Sequence, residues 1–168
     1  MIKQLTGNIW AFIILVVIQL TIFNNIQLSS FINPYFYVLY ILILPFDTPK
    51  WMLLISAFLL GYSVDYFSHT LGMHAAACTT MAALRPTILK NFSPRDGYET
   101  GTLPRINYYG LNWFLKYTLL LVFAHHIVLF YCEMFRFSDF FYTFLRVIIS
   151  TIFSSLIIVI SQYFIFRR

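Results

Sequence analysis

Charge is what this chain has least of. Of 168 residues, 6 are acidic and 11 are Lys or Arg, 10% in all, where a soluble domain carries roughly 25%. So few ionic groups cannot cover a water-facing surface, which excludes a soluble globule of this length. Cysteine is scarce too. Cys78 and Cys132 both fall in apolar runs, where they read as small core residues, not a disulfide. No His-Glu-x-x-His pattern occurs, nor a serine flanked by the glycines of a nucleophile elbow, so the common signatures of metallopeptidases and hydrolases are missing. No internal repeat or low-complexity segment is visible.

What fills the chain is apolar and aromatic: 60% hydrophobic, 20% aromatic, mean hydropathy +0.78. That composition implies an all-α, polytopic membrane protein forming a single transmembrane domain over residues 1–168. The net charge of +5 and pI near 9.3 fit basic residues flanking helices on the cytoplasmic side better than nucleic-acid binding. The first apolar run is too long for a signal-peptide core and ends in Asn24-Asn25 without a small-residue cleavage site, so it reads as a retained helix.

Hydropathy predicts about six membrane helices, near residues 8–27, 34–46, 50–67, 71–89, 110–132 and 140–166. Pro34 suits a helix start after Asn33, and Phe46-Asp47-Thr48-Pro49 reads as a tight turn. The fourth helix is rich in small residues, including Ala75, Ala76, Ala82 and Ala83. With Gly61 and Gly72, these predict close backbone packing at the bundle centre. One long loop, about 90–109, separates the fourth and fifth helices and reads as structured or partner-bound. Lys3, Lys50, Lys90, Arg95, Arg105, Arg167 and Arg168 then collect on one side, which predicts that both termini face the cytoplasm.

The chain is organised around Gly61-Tyr-Ser-Val-Asp65-Tyr-Phe-Ser-His69-Thr-Leu-Gly72-Met-His74. A carboxylate directly after an apolar run is costly in hydrocarbon, so Asp65 should lie at the interface or face protein. It sits ~22 Å from Lys50 at ~1.5 Å per residue, near the outer end, whereas Arg85 lies near the inner end. The two should not pair. Arg146 is the better partner for Asp65, with His69 and His74 close by, forming a polar pin across the outer ends of helices three, four and six. The alternative is an aspartate exposed among headgroups. Asp65/His69 and His74/Cys78 each share a helix face at four-residue spacing. That spacing alone carries no metal site, and no cofactor is expected. His125 and His126 point about 100° apart on a helix, so they read as one hydrogen-bonded core histidine and one lipid or helix contact. Arg85-Pro86 reads as a snorkelling charge followed by a kink or stop. Pro94, Arg95, Gly97, Tyr98 and Glu99 offer either a solvated connector or a cytoplasmic docking surface. Nineteen Phe and twelve Tyr face either lipid or a partner's transmembrane helix.

The Gly61-to-Gly72 stretch, with Pro45, Asp47, Thr48, Pro49, Lys50 and Trp51 before it and Leu84-Arg85-Pro86 after it, resembles the MreD family of bacterial rod-shape membrane proteins. The likeness extends more loosely to Pro94, Arg95, Gly97, Tyr98, Glu99, His125 and His126. It implies a six-helix bundle similar to the substrate-binding subunits of energy-coupling-factor transporters. It also implies a non-enzymatic scaffold of the bacterial inner membrane. Its partners would be an MreC-like protein, the RodA-type glycosyltransferase with its class B penicillin-binding transpeptidase, and an MreB-like filament. The competing expectation is a vitamin-like small-molecule-binding subunit of a transporter. Against it, the first helix from Trp10 to Ile22 is bulky, with only Ala11 small, where a docking helix would carry a ladder of alanines.

Overall fold

The computed structural model describes residues 2–26, 33–99, 102–134 and 140–165, with side chains described for 9–26, 33–99, 102–134 and 140–164. Among the described residues there are six α-helices and no strand. They are α1 (Ile2–Thr21), α2 (Leu39–Ile43), α3 (Lys50–Ser68), α4 (Met73–Asn91), α5 (Ile106–Met134) and α6 (Phe140–Ile165). Helices α3, α5 and α6 are long and apolar enough to cross a membrane. The expected ends of the first and sixth helices at Gln27 and Phe166, and the basic residues Arg167 and Arg168, lie outside the described residues.

Helix α4 packs against α3 on one side and α5 on the other, and α5 packs against α6. The small-residue helix is therefore internal, as its composition predicts. Gly61 shows why α3 and α4 approach so closely: a Cβ there would sit 2.5 Å from the Cα and N of Ala75. Ala75 and Ala82 are buried as well, and Ala77 is buried on the side of α5 and α6, with Leu129, Phe130 and Val147. Two expectations fail here. Ala76 and Ala83 are exposed, because they lie on the face of α4 turned away from its neighbours. A Cβ on Gly72 would meet nothing within 4 Å; the residue adopts φ +79° at the start of α4, a left-handed conformation natural to glycine.

The predicted second helix over 34–46 is corrected more deeply. Only Leu39–Ile43 is α-helical, and residues 33–36 carry no regular structure although Phe36, Tyr37 and Val38 are buried. Non-helical backbone inside a membrane bundle must find partners within the protein. Gln19 of α1 supplies several. Its Oε1 accepts from the N–H of Phe36 (2.8 Å) and Tyr37 (3.3 Å), and its Nε2 donates to the Pro34 carbonyl (3.1 Å). Ser150 and Ser154 of α6 accept from the N–H groups of Asn33 and Tyr35. Polar side chains on two otherwise apolar helices thus hold an irregular strap between them.

At the other boundary, α5 begins before the predicted Gly110. Residues 106–109 form a turn, and Gly110 (φ +80°, ψ 165°) breaks the helix before it resumes. Pro86 does not end α4, which continues to Asn91. The intervening loop is structured, as expected. Tyr98 stacks on Phe46 at 4.1 Å and donates to the Leu89 carbonyl (2.7 Å), and Trp113 Nε1 donates to the Phe92 carbonyl (3.0 Å).

Candidate functional site: the polar interior and its cavity

Two polar assemblies occupy opposite ends of the bundle. The first is built on Asp65, which is 3% exposed near the end of α3. Its Oδ1 accepts from Thr70 Oγ1 (2.5 Å), the His74 N–H (3.1 Å) and His74 Nδ1 (3.0 Å), and its Oδ2 accepts from the Ala75 N–H (2.9 Å). The carboxylate therefore caps the first turn of α4, where free N–H groups and the helix dipole favour a negative charge. His69 takes a left-handed conformation (φ +55°) and its N–H bonds the Asp65 carbonyl, which turns the chain toward α4.

Asp65 is buried and bonded to protein, but the expected pin across α3, α4 and α6 is not what forms. Asp65 joins α3 to α4 through Thr70 and His74. His69 contributes backbone only; its side chain is exposed. Arg146 does not pair with Asp65. Its Nη1 lies 3.1 Å from Glu133 Oε2, its guanidinium stands 4.2 Å above the Phe130 ring, and the Asn33 amide, with its oxygen assigned to the side that faces donors, accepts from its Nε at 3.3 Å. Glu133 lies in the last turn of α5 and Arg146 in the second turn of α6, and the two helices pack together. Sequence reading overlooked Glu133 because it follows an apolar helix and resembles an ordinary interfacial acid.

The second assembly is built on Arg85, expected to snorkel and placed instead at 1% exposure. Its Nε donates to Tyr117 Oη (2.8 Å) and its Nη2 donates to the Leu44 carbonyl. Tyr117 Oη donates in turn to the Leu42 carbonyl (3.0 Å). Helix α2 is so short that its last carbonyls lack helical partners, and a cation at a helix C-terminus is favourable. Arg85 and Tyr117 supply both needs, so Arg85 belongs to the core and not to a docking surface. Of the residues expected at such a surface, Pro94, Arg95, Gly97 and Glu99 are exposed, Tyr98 is clamped in the aromatic cluster, and Pro86 lies half-buried within α4.

Between the two assemblies lie His125 and His126, both fully buried. Neither faces lipid, because α5 is flanked by α4 and α6 and so has more than one inward face. His125 Nε2 shares a hydrogen bond with Tyr37 Oη (2.9 Å). His126 Nδ1 donates to the Val122 carbonyl (2.7 Å), leaving Nε2 to accept from Ser154 Oγ (3.4 Å). The Tyr35 ring lies against His74, His125 and His126 at centroid distances of 5.4–6.0 Å. Among the described residues no group of three His, Cys, Asp or Glu is arranged to hold a metal ion. Cys78 is buried and Cys132 half-buried, both as free thiols.

A cavity of about 520 Å³ opens beside the Asp65 assembly. Phe23, Pro34, Tyr35, Ser68, His74, Glu133 and Arg146 are among its walls. No family model matches the chain, and comparisons with curated proteins and with solved structures found none that match either.

Proposed function

We propose that this chain is a non-enzymatic scaffold of the bacterial cell-wall elongation machinery, of the kind its MreD-like motifs imply. In this reading it forms a bundle of about six spans in the inner membrane, with both termini cytoplasmic. It holds an MreC-like membrane protein and, through it, the RodA-type glycosyltransferase and its transpeptidase, and connects them to an MreB-like filament. The observation that carries the reading is the use of the buried charges. Asp65 and Arg85, the most buried charged residues among those described, both end on the chain's own backbone, capping α4 and closing α2. Groups used in this way brace a bundle, and a braced bundle acts on others through its surfaces. Those surfaces are wide and aromatic, with Phe58, Tyr62, Tyr66, Phe67, Phe141 and Phe164 all exposed.

Affinity purification in mild detergent tests this. MreC-like and RodA-like proteins should elute with the chain. Recovery of the folded chain without either sinks the proposal. A second reading, a small-molecule-binding subunit of a transporter, has one observation in its favour, the cavity beside His74. It predicts co-purification with an ATP-hydrolysing partner instead.

A further inference from the structure

The cavity has a charge pattern that selects its occupant. Its lining includes Arg146, 3.1 Å from Glu133, and His74, whose Nδ1 lies 3.0 Å from the buried Asp65. Arg146 and His74 are thus each paired with a carboxylate of their own. Asp65 is buried, but Glu133 is 39% exposed at its side chain, so it is open to a ligand. His74 Nδ1 is engaged by Asp65, and its Nε2 has no protein partner among the described residues. Several other polar groups in the wall are already committed. Gln19 is saturated by the strap backbone, and Asn24 donates to Ser68. Free capacity therefore remains at His74 Nε2 and at the exposed side of Glu133, while Arg146, held by Glu133 and Asn33, contributes its charge.

We infer that this cavity binds a small zwitterion, its anionic group toward His74 and Arg146 and its ammonium group toward Glu133. A net anion meets Glu133 and a net cation meets Arg146, so each is opposed by one half of the wall. A ligand with both signs lies antiparallel to the Arg146–Glu133 pair and satisfies both at once. The volume lies within the ~300–1,000 Å³ usual for small-molecule sites. The Phe23 and Tyr35 rings give the uncharged part of the ligand an apolar seat. This goes beyond the scaffold reading and does not depend on it.

Two sources share this chemistry: the headgroup of phosphatidylethanolamine, and a free zwitterion of the amino-acid type. The full chain in detergent should be titrated with phosphatidylethanolamine and, separately, with phosphatidylglycerol, and lipid retention read by native mass spectrometry. In parallel, thermal shift should be measured with glycerophosphoethanolamine and with L-alanine. Selective retention of phosphatidylethanolamine identifies a lipid; a shift with either soluble probe identifies a free solute. Either result supports the inference, provided that Glu133→Gln, at a partly exposed position, weakens the binding about tenfold, as expected for loss of one charged hydrogen bond. Equal retention of phosphatidylglycerol, no binding of any probe, or binding unchanged in Glu133→Gln would overturn it.

Discussion

Arg85 and Tyr117 meet at 2.8 Å inside the bundle, and together they bond two carbonyls at the end of α2, those of Leu42 and Leu44. This relationship gives the sharpest stability prediction. Tyr117→Phe removes one donor and should cost about 1–3 kcal/mol. Arg85→Met should cost about 3 kcal/mol or more, since it strands the Leu44 carbonyl and the Tyr117 hydroxyl together. Thermal melting in detergent reads both. An Arg85→Met protein that melts with the parent would show that Arg85 is dispensable to the core.

Gly61 and Gly72 separate by mechanism. Gly61→Ala should part α3 from α4 and lower stability by more than about 2 kcal/mol, because the intruding methyl meets the backbone of Ala75. Gly72→Ala adds a methyl in open space and should cost only about 1 kcal/mol, from the left-handed backbone. Reversal of that order in melting midpoints would refute the packing explanation.

The ion pairs predict which charge swap succeeds. Exchanging Glu133 and Arg146 should restore what either single change loses, a modest amount near 1 kcal/mol for a half-exposed pair. Exchanging Asp65 and Arg146 should restore nothing, since Asp65 serves His74, Thr70 and the start of α4. A double-mutant cycle in melting free energy distinguishes them.

Tyr98 predicts a pH effect outside the membrane segments. Burial in the aromatic cluster pushes its hydroxyl up to about 12, above the ordinary value of 10. A raised value favours the neutral form in the fold, so its contribution is whole below pH ~10 and is lost as pH rises through ~12. The tyrosinate absorbance difference between the parent and Tyr98→Phe should therefore appear late in an alkaline titration. Its appearance near pH 10 would mean that the loop is undocked.

Much of the architecture was legible because long apolar runs have few alternatives. Helices α3, α5 and α6, the internal place of α4, and a structured loop after it all follow from composition and length. The strap does not. Residues 34–45 read as an apolar helix, and only Gln19, Ser150 and Ser154, remote in sequence, make an irregular path through the core affordable. The same distance effect misassigned the partner of Asp65 and put Arg85 at the surface. Counting basic residues by side treats every arginine alike, and nothing local marks the one whose target is the end of a five-residue helix.

The account rests on buried charges that brace and do no chemistry, and one variant probes it directly. Asp65→Ala should lower the melting midpoint of the purified protein and, in the same degree, its capture of an MreC-like partner. The account predicts that the two losses move together and that a second-site stabilising change recovers both. A protein that melts like the parent yet has lost its activity in cells would contradict it, because Asp65 would then act in a step that the fold does not need.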